Sequence, residues 1–230
     1  MAIAGILFDK DGTLIDYFKS WSPVNRKLAL LAAGGDQALA DHLLRATGMD
    51  PETGHVVPDS LLAAGNTEEI AEGLVAAGSK LSARQLVEDL DWLFAEAASN
   101  AIPVTDLEDF FGRLKARGLK LGVASSDNEE SIRRTADRFG FIAYLDYIAG
   151  YDSGYGCKPE PGMVWGFAEA AGLEHAEILV VGDNSHDMMM GRNAGAGMTI
   201  GVLTGTGTRE TLGPLSDYCL NDITEIETII

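Results

Sequence analysis

Two aspartates, Asp9 and Asp11, follow an apolar run near the start of the chain, in the stretch ILFDKDGTL (6–14). A short apolar run closed by turn residues has the pattern of a buried strand. Carboxylates at its end stand on the rim of a core, where packing gains nothing from them. Asp11-Gly12 taken alone is an ordinary turn dipeptide. A calcium loop of the D-x-D-x-D-G form does not fit, because Gly12 arrives too early and no third acidic ligand precedes it. Three further polar clusters have comparable settings. Ser125 ends LKLGVAS (119–125), Lys158 lies in KPEP (158–161), and Asp183 and Asp187 fall in GDNSHD (182–187) after the apolar ILVV.

In open α/β sheets ligands bind beyond the carboxyl ends of the strands, so topology can bring these four clusters together. Three aspartates on one rim repel each other unless a cation lies among them. Oxygen ligands of that kind suit a hard ion, with magnesium the usual partner of a phosphate. Lys158 and the Ser125 hydroxyl then supply charge and hydrogen bonds to an anion. The implied chemistry is phosphoryl transfer, with a carboxylate available as nucleophile. Plainer roles compete at each position. Ser125 has the form of a helix-capping hydroxyl, Asp187 opens a helix, and most loop lysines are simply solvated. Pro159 and Pro161 flank Lys158 and stiffen the loop that presents it, which favours a functional lysine.

The elements that must position these groups alternate from residue 101 onward. Thr105 with Glu108 has capping-box spacing, and Leu107, Phe110, Phe111 and Leu114 then share one helical face up to a stop at Gly118. Strands are predicted at 119–125, 144–150, 176–183 and 198–202. Helices are predicted between them, one carrying Ile132, Ala136 and Phe139, one over Gly162–Ala171, and one over Asp187–Ala194. Such alternation means parallel strands with crossover helices on both faces, a doubly wound α/β sheet. Residues 17–100 differ: they are rich in Ala and Leu, with helical patterns at Asn25–Ala33, Ala38–Thr47, Thr67–Ala77 and Ala83–Ser99 and an N-cap signature in Asn66 and Glu69. They read as a helical insert after the first strand, leaving 1–16 and 101–230 as the α/β core.

Composition narrows the class further. With 230 residues, 46% of them hydrophobic, the chain can bury a substantial core plus a smaller inserted unit. A formal charge of -18 argues against nucleic acid or an anionic membrane as general partners, so any anion site must be local. No apolar stretch is long enough to span a bilayer, and the first residues lack a secretory pattern. Two cysteines, Cys157 and Cys219, indicate no disulfide framework and fit a cytoplasmic location. GTGTRE (205–210) lacks a strand–helix unit of nucleotide-binding form and reads as a loop. His186 reads as a surface residue beside the site, and Met188 to Met190 as helix packing.

Taken in order, DKDGTL (9–14), Ser125, Lys158 and GDNSHD (182–187) resemble the four signatures of the haloacid dehalogenase superfamily. The insert resembles the helical cap of its phosphoglycolate-phosphatase-like branch, so the likeness spans essentially the whole chain. It implies a Rossmann-like core and a Mg2+-dependent phosphomonoesterase acting on a small phosphorylated metabolite through an aspartyl-phosphate. By position, Asp9 is then the nucleophile and Asp11 the acid/base. Ser125, Ser126, Lys158, Gly12 and Thr13 face the phosphate. Asp9, the Asp11 backbone carbonyl and Asp183 hold the metal, and Asp187 supports it through waters or by fixing Lys158. Asp11 separates this chain from the family's dehalogenases, which lack that acid/base. It also separates it from the transport ATPases, which carry threonine there. Lys10 departs from the apolar residue often found between the aspartates. A phosphosugar mutase with the same cap and a non-catalytic phospholigand-binding or partner-binding protein remain the alternative readings. Lys19, Trp21, Asn25 and Arg26 are candidates to face the leaving group, and the oligomeric state is open.

Overall fold

The structure is a computed structural model that describes residues 2–97 and 100–230. Six strands carry the core: β1 (Gly5–Phe8), β2 (Lys120–Ala124), β3 (Tyr147–Ala149), β4 (Ile178–Gly182), β5 (Met198–Val202) and β6 (Tyr218–Leu220). They form one sheet in the order β3-β2-β1-β4-β5-β6, and every pairing is parallel. The chain leaves β1 toward one edge, then returns to build the other half, so the order reverses beside β1. That is the switch point at which doubly wound sheets bind ligands. Phe8 is level with Val123 on one side and Val181 on the other, which brings the ends of β1, β2 and β4 to one height.

Alternation along the strands splits the buried side chains between two faces. Ile6, Phe8, Leu121, Val123 and Val181 pack under helix α6 (Leu107–Ala116) and helix α7 (Glu129–Arg138). Leu7, Ala124, Ile178 and Val180 pack under α8 (Gly162–Ala171) and α9 (Ser185–Ala194). Between β1 and α6 the chain forms α1 (Tyr17–Ala32), α2 (Gln37–Thr47), a single turn α3 (Leu61–Ala64), α4 (Thr67–Ala76) and α5 (Ala83–Ala97). Their buried residues, from Tyr17 to Phe94, make a third hydrophobic cluster of their own. Two connecting segments enter and leave this region side by side. The Asp16 amide donates to the Ile102 carbonyl at 2.9 Å, and the Val104 amide to the Leu14 carbonyl at 3.0 Å.

Several elements differ from the sequence expectations in instructive ways. Helix α1 begins at Tyr17, eight residues before the predicted Asn25, because the Asp16 carboxylate caps the Lys19 amide and Tyr17, Trp21, Asn25 and Leu28 share its buried face. Pro23 is tolerated inside that helix on its exposed side. The cap of α6 is Asp106, accepting from the Asp109 amide, one residue after the predicted Thr105. The predicted strand at 144–150 shortens to Tyr147–Ala149, preceded by a 3-10 turn over Ile142–Tyr144. Helix α9 starts at Ser185 with Asn184 as its cap, and Asn66 with Glu69 forms the predicted capping box on α4. Ser99, the predicted end of the α5 pattern, lies outside the described residues. Strand β6 and the short helix α10 (Arg209–Leu212) carry no clear sequence pattern. Among the described residues no helix is long and apolar enough to cross a membrane.

Candidate active site

Asp9 follows β1, Ser125 follows β2 and Asp183 follows β4, so three adjacent strands deliver them to the same edge of the sheet. The loop after β3 contributes Lys158, and the first turn of α9 contributes Asp187. Lys158 Nζ lies 2.6 Å from Asp9 Oδ1 and 2.6 Å from Asp187 Oδ1, and all three side chains are buried. Burial opposes the charge on Lys158, yet Asp187 and Asp9 hold its pKa above that of a free lysine. Burial also pushes Asp9 up to about 6, against the pull of Lys158. Asp183 is raised well above the usual carboxylate range, by burial first and then by the negative charges of Asp9 and Asp187.

Asp9, Asp183 and Asp187 each offer an oxygen within 4.8 Å of the others. Lys158 neutralises only part of this charge, and Asp9 Oδ2 is buried with no hydrogen-bond partner. An orphaned carboxylate oxygen inside an all-oxygen donor set is the arrangement a hard divalent cation satisfies. The site therefore fits the metal that the sequence implies. Glycine is required around it on steric grounds. Gly12 has φ +88°, and a Cβ there would lie 2.4 Å from Asp183 Cγ. A Cβ on Gly205 would lie 1.9 Å from Asp183 Oδ2.

Asp11 belongs to a second buried cluster. Lys10 Nζ lies 2.8 Å from Asp11 Oδ2 and 2.8 Å from Asp127 Oδ2, with Ser131 Oγ at 3.4 Å. The other Asp11 oxygen accepts from Trp21 Nε1 at 2.7 Å, a contact made from α1. Burial pushes Asp11 up to about 6, opposed by Lys10 and assisted by Asp127. Asp127 is held in turn by the Ser131 hydroxyl and by the Asn128 amide at 2.8 Å.

Helices α1, α3, α4 and α5 close over these groups. Trp21, Asn25, Leu62, Ile70 and Phe94 line a pocket whose floor is Asp9, Asp11, Ser125, Lys158, Asp183 and Asp187. Polar contacts hold the two sides together: Ser126 Oγ donates to the Ala64 carbonyl, Asn184 Nδ2 to the Ala63 carbonyl, and Ser185 Oγ to Asp59 Oδ1.

The structure thus brings Asp9, Asp11, Ser125, Ser126, Lys158, Asp183 and Asp187 onto one pocket wall. Ser125 Oγ accepts from the Asp127 amide at 3.1 Å within the loop, the helix cap being Asn128 and not Ser125, and its side chain lines the pocket. Thr13 is buried with its hydroxyl unpartnered. Of the candidates in α1, Trp21 and Asn25 line the pocket, whereas Lys19 pairs with Asp16 and Arg26 donates to the Pro51 carbonyl. His186 is half-buried and lines the pocket, a more interior place than a surface reading gives it. Met188 and Met190 pack inward, but Met189 is exposed.

Sequence reasoning missed Lys10 as an ion-pair centre, together with Asp127 and Ser131. It also missed the loop after β5. Thr206 donates its amide to Asp183 Oδ2 at 2.8 Å, and Thr204 Oγ1 donates to the Gly12 carbonyl at 2.6 Å. The available signal was the placing of Thr and Gly after a buried strand, the position occupied by every other cluster.

The comparisons with known proteins agree with this geometry. The family model of the haloacid dehalogenase-like hydrolases matches residues 3–195. The phosphoglycolate phosphatase of Aquifex aeolicus is 30% identical over 83% of this chain and 80% of its own length. The pyrophosphatase PpaX of Halalkalibacterium halodurans is 33% identical, over only 36% of this chain and 38% of its own. In fold, the chain resembles a crystal structure described as a predicted phosphoglycolate phosphatase from Haemophilus somnus. The TM-score is 0.76, covering 99% of this chain and 97% of that one at 19% identity.

Proposed function

The chain belongs to the haloacid dehalogenase-like hydrolases, and from that membership we propose that it is a cytoplasmic, magnesium-dependent phosphomonoesterase acting on a small phosphorylated metabolite. One observation carries the reading. Asp9 has one oxygen held by Lys158 and the other buried without a partner, beside a second carboxylic acid whose pKa is lifted to about 6. Binding a phosphate needs neither a nucleophile nor an acid beside it.

Asp9 attacks phosphorus, so an Asp9 O–P bond forms as the ester P–O bond breaks, and Asp11 gives its proton to the departing alcohol oxygen. In the second half Asp11 takes a proton from water, the water oxygen bonds to phosphorus, and the Asp9 O–P bond breaks to release phosphate. An acid that serves both halves works best with a pKa near the operating pH, which burial gives Asp11. Lys158 holds Asp9 in position, and the Ser125 hydroxyl and the Gly12–Thr13 backbone orient the phosphoryl oxygens. Asp9, the Asp11 backbone carbonyl and Asp183 would hold magnesium, with Asp187 fixing Lys158. The ion supplies charge stabilisation for the transferring phosphoryl group. Residues 17–100 act as a cap that excludes water while the ester is cleaved.

Phosphate release by the purified protein with magnesium, and its loss with a chelator, tests this directly. Asp9→Asn should lower turnover by about 10⁴-fold or more and abolish a hydroxylamine-sensitive phosphoenzyme trapped in the wild type. Normal turnover by Asp9→Asn refutes the assignment. Isomerisation of a phosphosugar without phosphate release would identify a mutase.

A further inference from the structure

The floor and the roof of the pocket have opposite characters. Five aspartates line it (Asp9, Asp11, Asp127, Asp183 and Asp187), and Lys158 is the only lysine or arginine that does. That lysine already bridges Asp9 and Asp187. Lys10 is spent on Asp11 and Asp127. On the roof, among the described residues, no side chain carries a formal charge. Trp21 and Phe94 meet edge to face at 5.0 Å between ring centroids, with Leu62 and Ile70 completing an apolar wall. The polar groups facing it are hydrogen-bonding ones. Asn25 is buried, with its Nδ2 donating to the Tyr17 hydroxyl. The His186 Nδ1 is buried without a partner. The cavity between floor and roof is about 70 Å³, room for roughly five water-sized groups at 10–15 Å³ each.

We propose that the alcohol released at this site is small and uncharged, bearing a hydroxyl rather than a second anionic group. The inference rests on the phosphomonoesterase reading and narrows its substrate class. A carboxylate on the leaving group would be buried against an apolar wall with no lysine or arginine on the roof to pair with it, an arrangement disfavoured unless a cation is paired with it. A hydroxyl instead finds an amide and an imidazole that donate or accept equally well. Glycolate, the alcohol named in the phosphatase relatives, is therefore the wrong kind of leaving group for this roof.

A matched series tests the point on the wild-type enzyme with magnesium. Phosphoglycolate and 2-hydroxyethyl phosphate differ only in a carboxylate against a hydroxymethyl group, and ethyl phosphate lacks both. The expected kcat/KM for 2-hydroxyethyl phosphate exceeds that for phosphoglycolate by about 100-fold. It exceeds that for ethyl phosphate by about fivefold, the worth of one hydrogen bond. Asn25→Leu combined with His186→Phe should erase the second advantage and leave about 20-fold of the first. Equal or better turnover of phosphoglycolate overturns the proposal, as does a hydroxyl advantage that survives the Asn25→Leu, His186→Phe double variant. Turnover of p-nitrophenyl phosphate with none of the three esters refutes the small hydroxylated leaving group while leaving the phosphatase reading intact. Failure with p-nitrophenyl phosphate as well refutes that reading, and the inference with it.

Discussion

Lys158 and Lys10 are both buried and each bridges two aspartates, at 2.6 Å in one case and 2.8 Å in the other. Their surroundings differ. Around Lys158 a third carboxylate, Asp183, crowds the two that the ammonium bridges, and an Asp9 oxygen is left without any partner. Around Lys10 the second aspartate is saturated by Ser131 and the Asn128 amide, and the first is fixed from the other side by Trp21. The first cluster is electrostatically incomplete and is completed by a cation or a proton. In the second every carboxylate oxygen named has a donor, and the contacts from Lys10 and Trp21 fix the place of Asp11, whose proton comes and goes at about pH 6. Two arrangements that look alike in a contact diagram therefore serve different ends: one admits a ligand, the other immobilises a residue.

Removing each lysine separates the two roles. Lys158→Met should lower kcat by about 10²–10³-fold, the usual loss when a charge-stabilising donor is deleted. It should also destabilise the metal-free fold by about 3–5 kcal/mol, because buried carboxylates lose their partner. Magnesium should restore much of that stability but not the rate, which calorimetry and steady-state kinetics measure together. Lys10→Met should cost less activity, about 10–100-fold on an alkyl phosphate, at or below the lower end of what general acid catalysis contributes, since the acid itself remains. On p-nitrophenyl phosphate, whose leaving group needs no proton, its kcat/KM, which reports the first half alone, should stay within a few-fold of wild type. Its lost stability should not return with magnesium. Equal magnesium rescue of both variants would erase the distinction drawn between the clusters.

A smaller effect concerns pH. Asp9 and Asp11 stand at about 6 in the folded protein, against an ordinary value of 3.8. Between pH 4 and 6 the folded state therefore binds protons that the unfolded chain has released, and its stability falls as pH rises through that window. The metal-free protein should melt about 2–4 °C higher at pH 5.5 than at pH 7.5, for roughly 1 kcal/mol of linkage. Saturating magnesium should reverse the order, since the cation binds the deprotonated carboxylates. A melting temperature for the metal-free protein that climbs with pH would contradict the burial of these acids.

The contrast between the lysines also marks what the sequence could disclose. Asp9, Ser125, Lys158 and Asp183 were legible because each sits just beyond an apolar strand or in a proline-stiffened loop, and the sheet order does the rest. Helices α8 and α4 were legible from glycine and capping signals that act locally. Lys10 was not, because its partners Asp127 and Ser131 lie 117 and 121 residues away and nothing near Lys10 announces them. Helix α1 was legible only in part. Its early start depends on the capping contact of Asp16 and on burial against helices α2, α4 and α5, and Pro23 obscures the pattern between. The loop after β5 was set aside for lacking a nucleotide-binding form, although its function depends on one backbone amide meeting Asp183.

That loop has a consequence for how the chain tolerates change. Gly205 and Gly12 carry no chemistry, yet each occupies the space that a methyl group would need beside the same carboxylate. In a library sampling every residue at every position, they should behave like the nucleophile itself: no substitution accepted, alanine included. The surrounding threonines should accept serine. Constraint at this site is set by volume as much as by reactivity, and a profile of permitted substitutions would outline Asp183 from the outside, as a cast outlines the object it was poured around.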